Sequence, residues 1–195
     1  MTVERIVDDI LRRELHPTER TWAEARARQH AADRGGWTRG GITASRWGQY
    51  RRLGRSATAA ELNAITEVEA RAFYVAWYVM PFDRYPEPLR ILLIDFGVTT
   101  SHVTVFKCLQ RALRHMGRYP GAIDGVVGPR TRAALAEAEP REVYLRTLEH
   151  RARHYIALSH DSYVRGFLRA TPNTQLHFLR GWLARCLPFV YEAEP

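Results

Sequence analysis

Ala31-Ala32-Asp33-Arg34-Gly35-Gly36-Trp37-Thr38-Arg39-Gly40-Gly41-Ile42-Thr43 sets four glycines, an aspartate, two arginines and a tryptophan immediately before an amphipathic stretch. A flexible linker mixes glycine with small polar residues. Here the glycines alternate with groups that bind, stack or transfer protons, so the segment reads as a site.

Outward from it, the punctuation is helical. Val3, Ile6, Val7 and Ile10 share one stripe of a helix over 3–13, with Glu14 at its end. Thr43 is placed to cap a helix carrying Trp47 and Tyr50, which Gly54 closes. Thr58 with Glu61, and Thr66 with Glu69, fit capping boxes; the second opens a helix from Glu67 to about Met80 bearing Phe73, Tyr74, Trp77 and Tyr78. Pro88 suits the first turn of a helix through Leu89, Leu92, Leu93 and Phe96, and another runs from Ser101 to His115. A second glycine-rich turn, Gly121–Thr131, leads into a helix at Pro129. Helices follow at 129–138, 140–159 and 172–186, the last begun by Thr171-Pro172. No β-hairpin or heptad pattern stands out, so the expected class is mainly α.

Composition sets limits. With 195 residues, 46% of them hydrophobic, the chain can bury one substantial core and is too short for two large domains. No apolar run approaches the roughly 20 residues that span a bilayer. Residues 1–14 lack the apolar run and small-residue cleavage site of a secretory signal. The formal charge of +8 is almost wholly arginine, since Lys107 is the only lysine; such a surface suits an anionic partner. No nucleic-acid recognition motif accompanies that charge. Cys108 and Cys186 read as buried free thiols, and His150 with His154, the only i, i+4 histidine pair, reads as a solvated helix face. No metal and no cofactor is expected: the glycines lack the preceding strand and the lysine that phosphate loops require.

Carboxylates are the remaining candidate catalysts: Glu14, Glu19, Glu24 and Asp33. Glycoside cleavage needs one acid to protonate the leaving oxygen and commonly a second group to position water or stabilise positive charge on the sugar. A helix-end glutamate against apolar neighbours and a loop aspartate among backbone donors suit that division. Asp95, inside an apolar run, fits either a buried structural carboxylate or a cleft acid.

The run Ala32–Thr43 resembles the signature P-A-D-x-G-G-x-T-x-x-G-I-T of glycoside hydrolase family 108, the N-acetylmuramidases of bacteria and phages. Arg51–Arg55 and Thr66–Tyr74 are similar to that family's following helices, including T-E-x-E-A-R-x-x-Y. Leu109–Leu113 and Asp124–Thr131 resemble the peptidoglycan-binding region that usually completes such proteins. The resemblance implies a lysozyme-like helical hydrolase fold over 1–100 and a helical peptidoglycan-binding lobe over 101–195, packed as one unit. It implies a general acid at the end of the first helix, which by helix context is Glu14, with Asp33 as its loop partner.

Two departures stand out. The family spaces its acid and aspartate by about nine residues, whereas Asp33 follows Glu14 by 19, as though a segment were inserted; by spacing alone Glu24 fits. The family's D-x-G-V-N reads Asp95-Phe96-Gly97-Val98-Thr99 here, with threonine in place of an amide.

The expected activity is hydrolysis of the β-1,4 bond between N-acetylmuramic acid and N-acetylglucosamine in peptidoglycan glycan strands. Trp37, Thr38, Thr43, Tyr74, Trp77 and Asp95 are the candidate substrate contacts. The alternative is a peptidoglycan-binding protein of the same fold with weakened or lost catalysis. A monomer is expected, made in the cytoplasm and reaching the wall by holin-type release or secretion.

Overall fold

The computed structural model describes residues 1–29, 36–169, 176–186 and 189. It divides into two units, Met1–Arg84 and Tyr85–Pro195.

In the first unit, α1 spans Val3–Glu14 and buries Ile6, Val7, Ile10 and Leu11, while the Thr2 hydroxyl accepts from the Arg5 amide at its start. Residues 15–29 then form turns that lead to a hairpin, β1 (Thr38–Arg39) and β2 (Ile42–Thr43), joined by Gly40-Gly41. The sequence reading anticipated no hairpin. Both turn glycines have positive φ, +48° and +78°, the primed turn that matches the twist of paired strands and that Gly-Gly permits. Arg28 adds a bridge, exchanging two 2.7 Å backbone hydrogen bonds with Thr38.

Thr43 caps α2 (Ala44–Tyr50) as its position suggests. The helix ends before Gly54: Arg52, at φ +55°, reverses the chain first. Both capping boxes are present, opening α3 (Ala59–Asn63) and α4 (Glu67–Tyr74). α4 continues through a π-helical turn, Val75–Val79, and a 3₁₀ turn, Met80–Phe82. Phe73 sits at the centre of an aromatic cluster with Trp47, Tyr50, Tyr74, Trp77 and Tyr78.

Arg39 ties the turns of 15–29 to this body. Its guanidinium is buried and donates to the backbone carbonyls of Ala25, Leu62, Asn63, Ile65 and Trp22 at 2.7–3.1 Å. It also lies over the Trp22 ring, 4.5 Å from the centroid, and the Trp22 indole donates to the Ile65 carbonyl. A buried cation is tolerable here because each guanidinium nitrogen finds a carbonyl acceptor.

The second unit comprises α5 (Leu89–Thr99), α6 (His102–His115), α7 (Pro129–Glu137), α8 (Pro140–Arg169) and α9 (Leu176–Ala184). The expected start of the last helix at Thr171-Pro172 lies outside the described residues. Gly128 and Pro129 open α7 as expected. Gln110 is fully buried and organises the preceding turn: its amide nitrogen donates to Asp124 Oδ1 and the Val126 carbonyl, and its oxygen accepts from the Gly125 amide. The Gln110 donor on Oδ1, joined by the Val126 amide, holds the Asp124 carboxyl below its ordinary range. Cys108 and Cys186 are buried free thiols. His150 and His154 are half-buried rather than on a solvated face: α8 turns them toward its neighbours, with His154 against Phe96 and His150 against His115. Among the described residues the architecture is mainly α, with one two-stranded sheet.

Candidate active site

Glu14 is the last residue of α1. A carboxylate there meets the negative end of the helix dipole, so stability does not explain the choice. Its side chain rests against the hairpin turn. A Cβ placed on Gly41 would lie 2.7 Å from Glu14 Oε2 and 2.6 Å from the Tyr74 hydroxyl, and the residue's φ of +78° also favours glycine. Gly40 is constrained from the other direction, since its Cβ would fall 2.5 Å from the Trp22 ring. Tyr74, fully buried, donates its hydroxyl to the Gly40 carbonyl at 2.5 Å. Turn, tyrosine and glutamate therefore hold one another in place.

Behind them stands Tyr78, stacked on Tyr74 and accepting a hydrogen bond from Arg46. Burial pushes the Tyr78 phenol up to about 12, with the Arg46 charge opposing and the Glu14 charge adding to that rise. Tyr78 therefore stays protonated at neutral pH.

Glu14 opens onto a cavity of about 330 Å³ shared with His16, Glu19, Arg28, Thr38 and Gly41. Glu19 is buried there and fully engaged: its carboxylate accepts from the amides of His16 and Arg26 at 3.2 and 3.0 Å and from Arg28 Nη2 at 2.6 Å. Glu24 is exposed and accepts from the Arg20 amide at 2.6 Å, closing its own turn; it does not line this cavity.

Of the other sequence candidates, Asp33 lies outside the described residues. Thr38 lines the cavity with Glu14. Trp37 precedes it and is 40% exposed. Thr43 is half-buried, its hydroxyl accepting from the Arg46 amide at 3.3 Å. Trp77 is half-buried and stacked on Phe73. Tyr74 stands behind Glu14, with its hydroxyl turned to backbone, rather than on the cavity wall. Asp95 belongs to the second unit, 6% exposed and 2.5 Å from Arg151 Nη2, so its geometry matches the structural one of its two readings. Thr99 bonds Tyr155 at 2.5 Å. Sequence reasoning passed over Arg28, Arg46 and Tyr78. Arg28 and Arg46 are two among many arginines, and Tyr78 shares a helical spacing that core aromatics also produce.

Residues 21–100 match the family model described as Glycosyl hydrolase 108, and residues 104–187 match that of the "Predicted Peptidoglycan domain". The first of these matches places residues 21–100 with the glycosyl hydrolase 108 family. The two matches together mark a glycoside hydrolase acting on peptidoglycan. Glu24 and Asp33 fall inside the hydrolase match; Glu14 precedes it. Among solved structures, SagA of Brucella abortus shares the fold with a TM-score of 0.69 at 21% identity, over 98% of this chain and 92% of that one. No curated protein matches the chain.

Proposed function

We propose that this glycosyl hydrolase is an N-acetylmuramidase that cleaves the β-1,4 bond between N-acetylmuramic acid and N-acetylglucosamine, with Glu14 as general acid. The supporting observation is the placement of Glu14: it ends a helix buried along one face, abuts a turn that has room for it only because Gly41 lacks a side chain, and faces a cavity. A proton from Glu14 passes to the glycosidic oxygen as the bond to the anomeric carbon breaks, and Asp33 serves the positive charge on the sugar or the incoming water. Trp37 offers an apolar face to a pyranose ring, and Thr38 and Thr43 offer hydroxyls. Tyr74 supports the site from behind, and Trp77 packs on Phe73, the ring next to it.

Glu24 carries the second reading, because it lies within the hydrolase match and nine residues before Asp33. The test is clearing of permeabilised bacterial cells, together with identification of the sugar at the newly formed reducing ends. Glu14→Gln is expected to abolish both signals while Glu24→Gln leaves them; the reverse pattern moves the acid to Glu24. New reducing ends on N-acetylglucosamine in place of N-acetylmuramic acid would overturn the bond assignment.

A further inference from the structure

The segment between α1 and the hairpin is where this chain departs from the spacing of the hydrolase signature it resembles, and it brings Arg28 into one cavity with Glu14. Three features define Arg28. Its backbone is fixed by two 2.7 Å hydrogen bonds to Thr38. Its guanidinium is held by Nη2 on the buried carboxylate of Glu19 at 2.6 Å. Its side chain is 43% exposed, and its Nε and Nη1 donors meet no partner among the described residues. A pre-positioned guanidinium with donors to spare is suited to a second planar acceptor, because little side-chain entropy remains to be lost on binding.

A second, independent observation points to the same place. The Thr38 Oγ1 is buried and has no hydrogen-bond partner among the described residues, although Thr38 lines the cavity with Glu14 and Arg28. A buried hydroxyl left without a partner is destabilising, a deficit that a ligand acceptor would remove.

We propose that Arg28 and Thr38 form a carboxylate subsite beside Glu14, which selects glycan strands bearing anionic substituents. The proposal rests on the muramidase reading above. Peptidoglycan supplies such a carboxylate from two sources, the lactyl group of muramic acid once its peptide is removed and the acidic residues of the stem peptide. Strands of N-acetylglucosamine alone have neither.

The test uses the full chain carrying Glu14→Gln, so that strands persist, and measures binding calorimetrically to three soluble ligands: amidase-stripped glycan strands, peptide-bearing glycan strands, and chitotetraose. Adding Arg28→Gln is expected to weaken at least one carboxylate-bearing strand by about tenfold or more and to leave chitotetraose unchanged. Thr38→Val keeps the Glu19–Arg28 pair intact and is expected to weaken the same carboxylate-bearing strand, by less than Arg28→Gln and by more than it weakens chitotetraose. A loss confined to stripped strands identifies the lactyl carboxylate; one confined to peptide-bearing strands identifies the stem peptide. Equal loss on chitotetraose, or undiminished binding of both carboxylate-bearing strands in both variants, overturns the subsite alone. If the Glu14→Gln chain binds no strand at all, the muramidase reading falls with it.

Discussion

At the scale of single residues, Gly41 bears the most consequence for its size. Any side chain there must take a left-handed backbone conformation and enter space held by Glu14 and Tyr74. Gly36 separates the two effects, because it has a φ of +75° and nothing among the described residues within 4 Å of the missing Cβ. Gly41→Ala and Gly36→Ala should each cost about 1–2 kcal/mol through the backbone, read as a fall in melting temperature. Only Gly41→Ala should also reduce peptidoglycan turnover, by roughly a hundredfold, because displacing an acid by about an ångström has that scale of effect. Equal activities in the two variants would remove Glu14 from the reacting centre. The sequence made the glycine pair visible but not its reason: periodicity shows where side chains repeat, and Gly41 matters through atoms that arrive from α1 and α4.

At the scale of elements, the turns of 15–29 contain no helix, and Arg39 and Trp22 tie them to the rest of the unit. Arg39→Met removes donors to five carbonyls and should destabilise the chain by about 3 kcal/mol or more, measured by chemical denaturation. A change under about 1 kcal/mol would show that other contacts hold this segment. These residues explain why it was opaque to sequence reading. Helices announce themselves by capping boxes and stripes, as α1, α3 and α4 do, whereas a turn segment organised by one distant arginine leaves no periodic trace. α8 shows a different gap. An i, i+4 histidine pair is the same in sequence whether it faces water or protein, and burial lowers the proton affinity of both His150 and His154 below the ordinary 6.5. The unfolded chain therefore takes up these protons first, so their contribution is complete above pH 6.5 and declines as the pH falls below it. Melting temperature should drop on acidification through that range, and less so in the His150→Gln, His154→Gln double variant. An unchanged slope in that variant would assign the acid sensitivity to other groups.

At the scale of the whole molecule, the boundary drawn by sequence motifs and the one drawn by packing fall in different places. The hydrolase match runs to residue 100, yet α5 belongs with Tyr85–Pro195, where Leu89, Leu92, Leu93, Ile94 and Phe96 are buried. Five such side chains are worth on the order of 10 kcal/mol of burial, and Asp95 beside them is the buried counterion of Arg151, which is 0% exposed. The sequence could not settle this, because an apolar helix with one acid reads alike in a cleft and in a core. A fragment covering 101–195 leaves Arg151 without its carboxylate and the opposing apolar surface uncovered, whereas 85–195 keeps both. The longer fragment should therefore give a cooperative melt by circular dichroism, and the shorter one should fail to fold or aggregate. In the full chain, Asp95→Asn should cost about 3–5 kcal/mol, as expected for a buried ion pair broken on one side. Its effect on turnover should vanish at temperatures where the variant remains folded. A variant of unchanged stability and lost turnover would instead return Asp95 to the substrate cleft, and would mean that the Arg151 charge finds its compensation elsewhere.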